Sequence, residues 1–183
     1  MNETDEILYE RYLSSGDENA FRLLLERYRE RLTLFLDSYV HNIADAEDLM
    51  IDAFAVAASG TSKFRGKSSF RTWLYGIGRN LAKSHLRKHR IHPGELTECA
   101  AAVPADYDIL QEERHSQLYA ALANINDDYR QVLYLLYFEE LSESETAAVT
   151  GKSKKQIYNL VSRGKNALRT ELERMGFDYA QYR

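Results

Sequence analysis

Apolar residues recur at helical spacing along almost the whole chain. Phe21, Leu24, Leu25, Tyr28, Leu32 and Phe35 mark one amphipathic helix from about Glu18 to Tyr39. Gly16-Asp17 ahead of it reads as a helix stop followed by a cap. Asp45 is the expected N-cap of a second helix, with Asp48 at its third position and Leu49, Ala53 and Val56 facing inward. That helix should end near Ser59-Gly60. Ser68 or Ser69 caps a third, whose apolar face carries Phe70, Trp73, Leu74, Ile77 and Leu81. No segment alternates with period two, so no strands are expected.

The pattern breaks between Ile91 and about Glu113. Pro93, Pro104, Gly94, an Ala-Ala-Ala run and six acidic residues fall there, with no Lys or Arg. This is the composition of an extended acidic linker. Helical spacing resumes near Arg114 with Leu118, Leu122 and Ile125, and continues in Tyr129, Val132, Leu133, Leu136 and Tyr137. Two more helices are expected, near Ser142–Thr150 and Ser153–Arg174. The expected fold is all-α. Two small helical domains, residues 1–90 and 114–175, are joined by the linker 91–113 and followed by a short tail, 176–183.

Composition narrows the class. With 183 residues, 44% apolar and 28% charged, the chain can bury two small cores and is not of disordered type. One cysteine, Cys99, excludes a disulfide framework and a multi-cysteine zinc site. There is no apolar run of transmembrane length, and the acidic start Met1-Asn2-Glu3-Thr4-Asp5-Glu6 is no signal peptide. A cytoplasmic protein without membrane insertion is expected. As an average, the net charge of −4 argues mildly against nucleic acid, but its distribution reverses that impression. Lys63–Arg90 carries nine basic residues and no acidic one, and Lys152–Arg169 carries six and none. The remaining 137 residues stand at −19.

Each basic segment has its own local grammar. In the C-terminal one, Ser142 and Glu145 form a capping box, Ala147 and Ala148 permit close helix approach, Gly151 suits a left-handed turn, and Ser153 caps a longer basic helix. Short helix, glycine turn and basic helix make a helix-turn-helix. In the last helix, Ile157, Leu160, Val161 and Leu168 face inward. Lys155, Tyr158, Asn159, Ser162 and Arg163 face outward, where Asn suits adenine and Arg or Lys suits guanine. Lys154, Lys165 and Arg169 are better placed as phosphate partners. In the central segment, Lys63, Phe64, Arg65, Lys67, Arg71 and Tyr75 interleave cations with aromatics. Arg79, Lys83, Arg87 and Arg90 follow at steps of four, four and three, forming a cationic stripe opposite the apolar face. A stripe of this kind tracks a phosphate backbone, and aromatics beside it can stack on unpaired bases. Gly76 and Gly78 interrupt this helix, and close packing or close backbone approach would account for them.

Taken together, these segments resemble the extracytoplasmic-function group of the sigma-70 family of bacterial RNA polymerase sigma factors. The resemblance rests on Gly16-Asp17-Glu18-Asn19-Ala20-Phe21, on Asp45-Ala46-Glu47-Asp48-Leu49-Met50-Ile51-Asp52-Ala53-Phe54, on Phe64–Tyr75 followed by Arg79-Asn80-Leu81, and on the helix-turn-helix ending Ser162-Arg163-Gly164-Lys165-Asn166-Ala167-Leu168. It implies that Asp45, Glu47, Asp48 and Asp52 face the clamp coiled coil of core RNA polymerase. It implies that Phe64–Arg90 contacts and helps open the −10 promoter element, and that the last helix reads the −35 element. The acidic linker would thread polymerase channels, and an anti-sigma factor would hold the protein inactive. Three features depart from the pattern: Ala-Val-Ala-Ala-Ser-Gly after Phe54, Gly76 and Gly78 in a helix, and Tyr158-Asn159 in the recognition helix.

A helix-turn-helix regulator acting without core polymerase is the alternative, but it leaves the central stripe without a task. No H-E-x-x-H motif, phosphate-cradling glycine loop or nucleophile–base pair points to an enzyme, and no cofactor is expected. His85 and His89 are four apart, yet they sit on the basic stripe with no acidic ligand near in sequence, so no metal role is expected.

Overall fold

The computed structural model describes residues 3–89 and 113–177. Arg90, most of the expected linker with Cys99, and most of the expected tail lie outside the described residues. The chain divides into two compact units, Met1–Leu96 and Thr97–Arg183. Among the described residues there are eight α-helices and no strand. None of these helices is long and apolar enough to cross a membrane.

The first unit holds α1 (Asp5–Ser15), α2 (Glu18–Val40), α3 (Ile43–Ser59) and α4 (Phe70–Lys88). Helix α1 goes beyond the elements expected from periodicity, although Gly16, at φ 69°, ends it as the sequence indicates. Asp17 caps α2 by accepting from the Asn19 and Ala20 amides. Helix α3 starts earlier than expected. Asn42, not Asp45, is its cap, accepting from Ala44 N at 3.0 Å and Asp45 N at 3.2 Å. Asp45 falls instead in the first turn, where a carboxylate suits the exposed amide dipoles. Gly60, at φ 66°, ends α3, and Ser69 caps α4 through Thr72 N.

Leu8, Leu24, Leu32, Phe35, Leu36, Phe70, Leu74 and Tyr75 are wholly buried and form the centre of this unit. A Cβ on Gly78 would stand 3.2 Å from Leu32 Cδ1 and from Leu36 Cδ2, so this glycine seats α4 against α2. Helix α1 clasps the bundle with polar contacts. Tyr9 donates its hydroxyl to the Ala57 carbonyl at 2.8 Å, and Glu6 Oε1 accepts from Phe70 N at 2.9 Å. That carboxylate thus sits on the first turn of α4, 64 residues away in sequence.

The second unit holds α5 (Glu113–Ala123), α6 (Asp127–Tyr137), α7 (Glu143–Thr150) and α8 (Lys154–Arg174). Both expected caps of the helix-turn-helix are present as reciprocal capping boxes, Ser142 with Glu145 and Ser153 with Gln156. Gly151 turns between them at φ 67°. Leu122, Ile125 and Leu133 form a buried cluster, with Tyr129, Phe138 and Leu168 packed on it. Ile157 is buried as expected, whereas Leu160 and Val161 are half-buried. The expected α6 stripe is shifted: Val132, Leu133, Tyr134 and Leu135 are buried, while Tyr137 is 54% exposed.

Candidate nucleic-acid and polymerase interfaces

On α8, Lys154, Lys155, Tyr158, Asn159, Ser162, Arg163 and Lys165 are all exposed, as the sequence face predicts. Tyr158 is 67% exposed, a large ring presented to solvent on a cationic helix. The Lys165 ammonium lies 5.0 Å from the centroid of the Tyr137 ring, an attraction that orients it along the unit's surface. Lys152, before the helix, is turned back. Its Nζ is 3.0 Å from Asp128 Oδ1, which ties the glycine turn to the start of α6.

The central segment sorts less simply. Lys63, Arg65, Lys67, Lys83 and Arg87 are exposed. Lys88 is exposed as well, a cation of the basic segment that stands off the stripe. Arg79 is half-buried, with Nη1 donating to Asn80 Oδ1 at 3.5 Å. Arg71 is half-buried too, with Nε donating to the Tyr28 hydroxyl at 3.4 Å. Tyr28 in turn donates to Asp5, which accepts from Arg27 Nη1 at 2.7 Å. Burial and the Asp5 carboxylate push the Tyr28 hydroxyl well above the usual phenol range, so it stays protonated and holds the chain together.

Tyr75 corrects an expectation. It is fully buried, with its ring centroid 5.1 Å from that of Phe35 and 6.3 Å from that of Tyr28, and so is not available to stack on bases. Its position on the sector of α4 that faces α2 decides this, a relation between helices that spacing within α4 does not carry. Phe64 is half-buried against Tyr9, Trp73 and Phe70, at 5.9, 5.3 and 6.1 Å. Its packing fixes the loop before α4, and one part of the side chain reaches solvent. Trp73 is likewise half-buried.

On α3, Glu47, Asp48 and Asp52 are exposed, but Asp45 is turned aside. Its Oδ2 lies 3.6 Å from His85 Nε2 of α4, so the histidine has an acidic neighbour that the sequence spacing did not reveal. The His85 and His89 rings stand 4.4 Å apart. Among the described residues no group of three or more His, Cys, Asp and Glu side chains is placed to hold a metal ion. The outward face of α3 also holds Ile51, 58% exposed. At 100° per residue, Ala44, Glu47, Asp48, Ile51, Asp52 and Ala55 span roughly 140°, acids around an apolar centre. Of the three large apolar residues between Glu47 and Asp52, Ile51 falls on the arc of the acids at 100° per residue, whereas Leu49 and Met50 fall on the buried side.

Two cationic faces, one of them on a helix-turn-helix, are the marks of a DNA-binding protein, and the acid-rimmed apolar face of α3 stands beside the central one in the first unit. Residues 24–91 match the family model described as Sigma-70 region 2, and residues 115–168 match Sigma-70, region 4. The RNA polymerase sigma-H factor of Pseudomonas aeruginosa is 32% identical over 160 residues, 80% of this chain and 82% of that protein. The ECF RNA polymerase sigma-E factor of Escherichia coli K12 is 28% identical over 93% of this chain and 95% of its own. The sigma factor RpoE of Bartonella quintana, solved in complex with the anti-sigma factor NepR, superposes with a TM-score of 0.67 at 28% identity. That likeness covers 84% of this chain and 96% of the Bartonella chain. The chain belongs to the sigma-70 family of RNA polymerase sigma factors, in its extracytoplasmic-function group. It is a promoter-recognising factor of that group.

Proposed function

We propose a division of labour among the three faces. The Glu47–Asp48–Ile51–Asp52 face of α3 docks on core RNA polymerase, its acids matching a basic partner and Ile51 filling an apolar recess. Lys63, Arg65, Lys67, Lys83 and Arg87, with the open edges of Phe64 and Trp73, engage the −10 region as it opens. Tyr158, Asn159, Ser162 and Arg163 read the −35 element in the major groove, while Lys154, Lys155 and Lys165 hold phosphates.

The observation that carries this reading is the outward face of α8: exposed throughout, free of acids over Lys152–Arg169, and set by two capping boxes in helix-turn-helix geometry. The chain has no catalytic task in this scheme. An anti-sigma factor is the expected inhibitor, since the similar Bartonella factor was solved with one.

The test mixes the protein with core RNA polymerase and a library of promoter fragments and maps start sites. Initiation from a defined subset, dependent on this chain, supports the proposal. Failure to bind core and failure to initiate on any fragment overturn it. Tight, sequence-specific DNA binding without core would favour a free-standing regulator.

A further inference from the structure

The two glycines of α4 are used differently. At Gly78 a Cβ would press on the methyls of Leu32 and Leu36, so packing favours glycine there. A Cβ on Gly76 would meet nothing within 4 Å among the described residues, and its backbone is not in the left-handed region. Among the described residues, therefore, neither packing nor conformation asks for glycine at position 76. Yet glycine inside a helix is destabilising relative to alanine, so the position carries a cost without a structural return.

Its location supplies the return. At 100° per residue Lys83, Gly76, Arg87, Asn80 and Trp73 share one arc of α4, on which Lys83, Arg87 and Asn80 are exposed and Gly76 and Trp73 half-buried. Gly76 lies inside that arc, with Trp73 one turn before it, Asn80 one turn after it, and the Lys83 and Arg87 directions on either side. The helix thus has a half-buried stretch of backbone with no side chain over it in the middle of its cationic face.

We infer that Gly76 is a positioning residue for promoter DNA: it lets the sugar-phosphate chain of one strand lie against the α4 backbone, nearer than any side chain would allow. The inference rests on the promoter-binding role proposed for α4. Close approach shortens the distance from Lys83 and Arg87 to phosphate, and Coulomb attraction rises as distance falls. It also brings the unpaired bases within reach of the exposed edge of Trp73.

The experiment uses full-length protein, assembled with core polymerase, on a promoter fragment that the unmodified protein initiates from. Gly76→Ala and Gly76→Lys are compared with it for melting temperature of the free protein, core affinity, affinity of holoenzyme for a single-stranded −10 oligonucleotide, and strand opening read by 2-aminopurine fluorescence. Gly76→Ala should raise Tm by about 4 °C, the gain of alanine over glycine in a domain of this size. It should leave core affinity unchanged and weaken the −10 oligonucleotide about tenfold, the loss of one well-made contact. Gly76→Lys should weaken it as well, despite the added positive charge.

Wild-type binding and opening by Gly76→Ala overturn the inference. So does tighter binding by Gly76→Lys, which would make position 76 only a missing phosphate contact, and so does a fall in Tm, which would place Gly76 in the architecture. If the unmodified holoenzyme initiates on no fragment, the promoter role itself fails and this inference with it. If it initiates and Gly76→Ala matches it, the inference fails alone.

Discussion

A Cβ on Gly164 of α8 would stand 3.2 Å from the Cβ of Tyr129 in α6, and 3.2 Å from Leu133 Cδ1. The contact sets how closely the recognition helix lies on the helix behind it. A leucine methyl can swing away, but the Cβ of Tyr129 is fixed to backbone. Gly164→Val should therefore lower stability by about 1–3 kcal/mol through overpacking. Urea unfolding of the full chain checks this, and unchanged stability would show that α8 is free to shift.

Tyr75 gives a second stability prediction. As a wholly buried ring between α2 and α4, its truncation leaves a cavity. Tyr75→Ala should cost about 3–5 kcal/mol, the range for large aromatic truncations in a core. Promoter binding should then fall only in step with the folded fraction, measured by following both against temperature. A variant that keeps its stability yet fails to open DNA would return Tyr75 to the stacking surface.

What the sequence made legible follows the range of each interaction. The helix-turn-helix was readable because its determinants lie within four residues: Ser142 with Glu145, Ser153 with Gln156, and Gly151 between them. The acid-free stretch Lys152–Arg169 needed only a count. Helix α1 was not expected because its burial depends on Tyr9 meeting Phe64, Phe70 and Trp73 from a distant segment. The α3 cap was misplaced because Asn42 and Asp45 are both good capping residues. The left-handed His41, at φ 50°, ends α2 and hands the role to the nearer one. The burial of Tyr75 and the pairing of Asp45 with His85 are relations between helices, invisible to periodicity within one.

Ile51 separates docking from folding. Its side chain is largely in solvent and makes little contribution to the core. Ile51→Lys should change stability by less than about 0.5 kcal/mol, as exposed substitutions do. It should nevertheless weaken core polymerase binding about tenfold or more, because an apolar anchor becomes a charge inside an acidic rim. Asp52→Lys should also weaken binding, with a loss that shrinks as salt rises. Native-gel titration against core polymerase reads both. Normal affinity in both variants would move the docking face elsewhere.

Asp17 links pH to the joint between α1 and α2. The Arg11 guanidinium, hydrogen-bonded to its carboxylate, holds Asp17 below the usual carboxylate range, with the Ala20 amide adding to the effect. A carboxyl with a lowered folded pKa stabilises the fold above its unfolded value, and that contribution disappears as pH falls through the folded one. Asp17→Asn keeps a capping oxygen but not the charge. The unmodified protein should thus lose Tm more steeply than Asp17→Asn between about pH 5 and pH 2. Parallel curves would show that the ion pair contributes nothing measurable.

Arg87 and Asn159 separate positioning from reading. Arg87 is exposed on the cationic arc of α4 and is proposed as a phosphate contact. Arg87→Ala should weaken all promoters by a similar factor and reduce the slope of log affinity against log salt by about 1, the signature of one released counterion. Asn159 is exposed on α8 and has the amide geometry that pairs with adenine. Asn159→Ala should relax preference at one −35 position by about 1–3 kcal/mol and leave the salt slope unchanged. Competition binding of holoenzyme against randomised −35 duplexes, repeated at several salt concentrations, measures both quantities on one sample. A uniform loss for Asn159→Ala would make it a phosphate contact, and the neighbouring Tyr158, presenting its ring on the same face, would then be the side chain to test as the reader.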